Sequence, residues 1–169
     1  ESKAGNASAV YQQMLESVLQ DNSEAGRTRG AELAEKLRTD YRGTNYASFA
    51  ALMQARLAVQ AEDYAAAETL LRGVVSQADD TTLEEIARQR LARVLAQLER
   101  AEEGLELFST PVSGELLAGR EEVRGDLLLS LKRVADARLA YQAAIEATED
   151  QRSRPQLQIK LDDLAEEAS

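Results

Sequence analysis

An all-α stack of antiparallel helical hairpins is the fold this sequence predicts. Three observations lead there. The 169 residues are rich in Ala, Leu, Glu, Gln and Arg, all good helix formers, and only two prolines and nine glycines interrupt them. Apolar residues recur at helical spacing in short segments separated by polar breaks. The corners between these segments resemble one another at a regular interval. Short helices joined by short links pack as antiparallel neighbours. A chain this long buries about 70% of its unfolded surface, so neither disulfide nor metal is needed to fold it. Aromatic residues make up 4%, which leaves Leu, Val, Ile and Ala to fill the core.

The first helix is expected over about 7–20, with Val10, Met14, Leu15 and Val18 as its apolar stripe and Asp21-Asn22-Ser23 as the break. The second covers about 24–41, turns Leu33, Ala34 and Leu37 inward, and ends at Gly43-Thr44-Asn45. The third, about 46–60, carries Phe49, Leu52, Met53 and Leu57; the fourth, about 64–77, carries Ala67, Leu70, Leu71, Val74 and Val75. After the polar turn 78–82, Thr82 is placed to cap a fifth helix over about 83–98, with Glu85 as its capping-box partner. A short sixth helix covers about 101–108, and Pro111 and Gly114 mark a loop. The seventh spans about 116–131 and the eighth about 134–148. The last starts near Pro155, a residue suited to a first helical turn, and carries Leu157, Ile159, Leu161 and Leu164.

Three corners share a pattern: Glu62-Asp63-Tyr64-Ala65-Ala66-Ala67, Glu99-Arg100-Ala101-Glu102-Glu103-Gly104 and Lys132-Arg133-Val134-Ala135-Asp136-Ala137. Each ends on a small residue, at 67, 104 and 137, so the spacings are 37 and 33 residues. A bulky residue follows each by four positions (Leu71, Phe108, Tyr141), and another small one precedes it by twelve (Ala55, Ala92, Gly125). The small residues let paired helices approach, and the bulky one wedges into the next hairpin. A tetratricopeptide repeat is about 34 residues long. The prediction is therefore one tetratricopeptide-repeat-like domain over 1–169, a right-handed stack with a degenerate N-terminal hairpin at 7–41 that aligns Gly30 and Ala34. Repeats follow at about 46–78, 83–110 and 116–148, then a capping helix at about 155–167. The usual Trp and Pro of the repeat are missing, and Gln54, Ala92 and Gly125 mark a loosely kept motif. The competing reading is a helical bundle with accidental spacing.

In such stacks the first helix of each hairpin lines a concave, protein-binding surface. Projection puts Leu52, Arg56, Val59 and Gln60 there from the first clear repeat, Gln89, Arg93 and Gln97 from the second, and Glu122 and Asp126 from the third. Such a wall suits an extended or helical segment of another protein, the arginines pairing its carboxylates. The plainer alternative is that these are solvated polar residues.

Other chemistry finds little footing. There are 20 basic and 30 acidic residues, a formal net charge of −10. Nucleic acid and anionic lipid both require clustered positive charge. Cysteine is absent, which removes disulfides, zinc–thiolate sites and cysteine nucleophiles, and histidine is absent too. Adjacent acids abound at Asp79-Asp80, Glu84-Glu85, Glu102-Glu103, Glu121-Glu122, Asp162-Asp163 and Glu166-Glu167. Neighbours on a helix point about 100° apart, so these pairs do not converge on one atom. No catalytic residue, metal ligand or cofactor motif is assigned. Gly26 and Gly30 form a GxxxG in a polar segment, which indicates close helix packing in water. No membrane span or signal peptide is recognisable, and the chain opens Glu1-Ser2-Lys3 without an initiator Met.

Several stretches carry a more specific likeness: YASFAALMQARLA over 46–58, EDYAAAETLL over 62–71, RLARVLAQLERAEEGL over 90–105, RGDLLLSLKRVADARLAYQAAI over 124–145 and LQIKLDDL over 157–164. In order and spacing they resemble the YfgM-like family, the ancillary subunits of the bacterial SecYEG translocon. The resemblance covers most of the chain from Tyr46. It implies a single-pass inner-membrane protein whose repeat domain lies in the periplasm, associated with SecYEG and with the membrane-anchored periplasmic chaperone PpiD, and helping newly translocated chains. The implied cytoplasmic tail and membrane anchor are not in this sequence, which suits an excised domain starting near Glu1. No catalytic residues come with the family. The expected function is thus an adaptor or holdase at the translocon exit, and the alternative is a self-associating structural scaffold of the cell envelope.

Overall fold

The computed structural model describes residues 2–21 and 23–167, without the side chains of 166 and 167. Asn22 of the first break and the side chains of the Glu166–Glu167 pair therefore lie outside the described residues. Within them the chain is all-α, with no strand: α1 (Lys3–Leu19), α2 (Glu24–Asp40), α3 (Asn45–Gln60), α4 (Tyr64–Gln77), α5 (Thr81–Gln97), α6 (Ala101–Glu106), α7 (Gly114–Ser130), α8 (Val134–Ala147) and α9 (Arg154–Glu167).

Side-chain caps fix where several helices begin, because the first N–H groups of a helix lack intrahelical partners. Ser2, Ser23, Thr44 and Asp63 each accept from the N–H three residues on. The Ser2 cap starts α1 at Lys3, four residues ahead of the start expected near residue 7. At α5 the expected Thr82–Glu85 box gives way to Asp80, whose Oδ1 accepts from the N–H of Thr82 at 2.8 Å and of Leu83 at 3.1 Å. Glu85 is only 2% exposed. The sixth helix is shorter than expected. It closes at Glu106 with a tight bond from the Leu107 N–H to the Gly104 carbonyl, leaving Phe108 beyond it.

The three corners that look alike in sequence are alike in backbone. Glu62, Glu99 and Lys132 take positive φ values of 58°, 60° and 60°. At each, the next residue's N–H reaches back five positions: Asp63 to Ala58, Arg100 to Leu95 and Arg133 to Leu128, at 2.8, 2.7 and 2.9 Å. The left-handed residue itself bonds three positions back, to Val59, Ala96 and Leu129. This is a Schellman helix ending, built three times without glycine.

Packing divides the chain within α5 into two compact units, Glu1–Ala87 and Arg88–Ser169. In the first, Ala7, Met14, Leu33, Ala34, Leu37 and Ala50 form a buried cluster. Helices α1 and α2 cross closely: a Cβ on Gly30 would come within 2.5 Å of Val18 Cγ2, and one on Gly26 within 2.1 Å of the Asp21 carbonyl. Of the GxxxG pair, Gly30 thus serves helix packing, and Gly26 makes room for the link before α2. Tyr11, Tyr46 and Phe49 lie against one another with ring centroids 5.5 to 6.0 Å apart.

In the second unit, Phe108 is buried with Ala92, Ala101, Val123 and Leu127. It wedges under α7, where the guanidinium groups of Arg120 and Arg124 sit 5.4 and 5.6 Å from its ring centre. Arg120 is buried and also donates to the Thr110 carbonyl, which holds the loop before α7. Leu128, Ala137, Ala140, Tyr141 and Leu164 form the neighbouring cluster between α7, α8 and α9. Tyr141 packs chiefly on its own hairpin, since a Cβ on Gly125 would lie 2.4 Å from its ring. Glu115 fastens the link into α9: its carboxylate accepts from the Thr148 hydroxyl and the N–H groups of Glu149 and Asp150.

Candidate functional site

The nine residues projected onto the inner wall fall into three kinds. Leu52 is 7% exposed and packs with Ala51 and Ala55 on the buried side of α3, so it offers no surface to a partner. The projection had placed it on the surface. Arg56, Val59 and Gln60 are exposed along the last turn and a half of α3, as is Gln97 near the end of α5. Among the described residues Arg56 makes no ion pair, so its charge faces solvent. The others, Gln89, Arg93, Glu122 and Asp126, are engaged within the second unit. Gln89 donates from Nε2 to the Leu116 carbonyl at 3.0 Å.

Arg93, Glu122 and Asp126 come together around a lysine that projection alone did not assign. Arg93 Nη1 donates to Asp126 Oδ2 at 2.8 Å. Lys160 of α9 donates from Nζ to both Asp126 oxygens, at 3.0 and 3.1 Å, and to Glu122 Oε1 at 2.8 Å. The Tyr141 hydroxyl donates to Asp126 Oδ1 at 2.6 Å, and Lys160 Nζ lies 5.8 Å from the tyrosine ring centre. Two cations thus balance two anions. Arg93 was expected to pair a partner's carboxylate; the carboxylate it pairs belongs to the next hairpin of its own chain. The signal for Lys160 was in the repeat itself: 93, 126 and 160 are 33 and 34 residues apart. Successive first helices, with α9 in the place of a fourth, present these equivalent positions to one another.

The electrostatics follow from that geometry. Burial pushes the Asp126 carboxyl up, but the hydrogen bonds from Tyr141, Lys160 and Arg93 outweigh it and leave it below the usual carboxylate range. Burial lowers Lys160, yet the bonds to Glu122 and Asp126 carry it above the usual lysine value. Burial and the Asp126 carboxylate both hold the Tyr141 hydroxyl protonated well beyond a free tyrosine. All three groups are locked in one charge state across the neutral range. They form a fastening, with no group poised to exchange a proton. Among the described residues no group of three or more acidic side chains is arranged to hold a metal ion.

Repeated Schellman corners, hairpins closed by small residues, and ion pairs between equivalent positions of successive helices describe one architecture. The tetratricopeptide repeat-like domain family matches residues 1–166. This chain belongs to that family. Curated relatives narrow the likeness. A protein of Neisseria gonorrhoeae named ancillary SecYEG translocon subunit is 33% identical over 79% of this chain and 64% of its own length. Proteins of the same name from Aggregatibacter actinomycetemcomitans and Escherichia coli are each 28% identical, over 85% and 96% of this chain and 68% and 76% of their own. The chain thus spans just under two thirds of the gonococcal relative. No solved structure gives a significant match. No helix among the described residues is long and apolar enough to cross a membrane.

Proposed function

We propose that this chain is the periplasmic protein-binding domain of an ancillary SecYEG translocon subunit held in the inner membrane by a single anchor. In this role it binds the translocon and a PpiD-like periplasmic chaperone, and helps hand over newly translocated proteins without catalysing a reaction. The observation that carries the reading is the likeness to relatives of that name over most of the chain. The side chains support it. The exposed residues projected to meet a partner, Arg56, Val59, Gln60 and Gln97, mix one charge, one aliphatic group and two amides. On each unit, such side chains bind by shape and a few anchors rather than by chemistry on a substrate. The charge of −10 argues against nucleic acid as the partner.

Site-specific photo-crosslinking in the membrane-anchored, full-length protein tests this. Probes at Arg56, Val59 and Gln97 are expected to capture a SecYEG subunit or a membrane-anchored chaperone. Probes at exposed positions of the second helices of the hairpins, such as Arg72 on α4 and Gln142 on α8, are expected to capture neither. Equal yields from both sets would reject the reading.

A further inference from the structure

The first unit contains a furrow that lies away from the projected inner wall. Helices α2 and α4 both pack on α3, and two hollows open between them. The larger measures 650 Å³ and is mainly apolar, with Met14, Val18, Met53, Leu57 and Leu70 in its lining. The smaller measures 190 Å³, is more polar, and includes Glu35, Arg42 and Gln77. They meet at Arg38, Thr69 and Leu70, so together they run along most of α2.

We propose that this furrow binds an extended, apolar segment of another polypeptide that carries a carboxylate. Three features select that occupant. The first is charge: the polar end is lined by Arg38 and Arg42 against the single acid Glu35, which pairs with Arg38, so the Arg42 guanidinium leaves that end positive on a chain of net charge −10. The second is the apolar end. Leu57 is 48% exposed there, and both methionines of the chain lie in the lining. Unbranched thioether side chains adapt to differently shaped apolar groups, so such a floor tolerates varied sequences. The third is polar. Arg38 Nε and Gln54 Oε1 are buried and lack hydrogen-bond partners, although the Arg38 guanidinium also pairs with Glu35. One is a donor and the other an acceptor, the complement of a peptide C=O and N–H. A helix has its backbone groups already paired, so the unsatisfied pair favours an extended chain. The lining of this furrow includes none of Arg56, Val59 and Gln60, and the inference does not depend on which partner meets those residues.

The test uses the purified domain and a short fluorescein-labelled peptide of alternating Leu and Ser that includes two Glu, beside a twin with Lys in place of Glu. The Glu peptide is expected to bind saturably and the Lys twin at least about tenfold more weakly, a difference of about 1.4 kcal/mol. Leu57→Asp and Arg38→Ala are expected to weaken the Glu peptide by a similar factor. Thr69→Glu, at an exposed position where the hollows meet, gives the same result without touching the core. Amide shifts on titration should map to α2 and α4. Equal binding of the two peptides, binding of neither, or loss on Arg56→Glu with Leu57→Asp unaffected would overturn the proposal.

Discussion

Asp126 accepts hydrogen bonds from three side chains on three other helices, so changing it reports on the whole polar cluster. Asp126→Asn keeps the shape and removes the charge. Hydrogen bonds to charged groups contribute about 1.5–3 kcal/mol each, but neighbouring groups partly recover, so a loss of about 2 kcal/mol is expected in urea unfolding. The pH dependence has a definite sign. The folded Asp126 carboxyl sits below its unfolded value, so its contribution is present above about pH 4 and drains away as pH falls through the lowered value. Lys160 and Tyr141 are raised, so theirs are present below about pH 10 and drain away as pH rises further. Urea midpoints measured across both limbs should show both losses in the native chain. Asp126→Asn should flatten the acid limb and shrink the alkaline one. Identical profiles would contradict the cluster's role. Gly125 makes a second residue-scale case. Gly125→Ala places a methyl against the Tyr141 ring, and overpacking of this kind costs about 1–3 kcal/mol, readable in the same unfolding experiment.

At the scale of elements, the hairpin corners offer the sharpest contrast. Lys132 holds a left-handed conformation that costs a side-chain-bearing residue about 1–2 kcal/mol. Lys132→Gly relieves that strain while loosening the unfolded chain, so a gain of up to about 1 kcal/mol is expected. Lys132→Val adds a β-branch at positive φ and should destabilise; thermal melts of the two variants, moving in opposite directions, check this. Glu115 tests how α9 is held. With Glu115→Ala, hydrogen exchange at the Glu149 and Asp150 amides should accelerate while the middle of α7 stays protected. The helices themselves were legible because apolar spacing and breaker residues fix them; α4 falls on its expected span. Their starts were less so. A cap depends on which of several adjacent polar side chains reaches the free N–H groups, and at α5 Asp80 does so instead of Thr82. The short α6 ends early because Phe108 is drawn under α7, a tertiary contact that local periodicity does not record.

For the whole molecule, the repeat period was the most informative feature of the sequence. It located the three equivalent corners, and it links Arg93, Asp126 and Lys160 at one repeat position. What it did not convey is which projected side chains stay free. Leu52 turned inward because an apolar residue beside Ala51 and Ala55 gains more from burial than from a surface position. Arg93 and Asp126 neutralise each other because the pattern places opposite charges at equivalent positions. The surviving candidates are Arg56, Val59, Gln60 and Gln97. The most direct measurement is the affinity of purified SecYEG in nanodiscs for the full-length protein and for its Arg56→Glu, Gln97→Glu form, with helicity and melting checked in parallel. The folded double variant is expected to bind at least about tenfold more weakly. Unchanged affinity would contradict the proposed function.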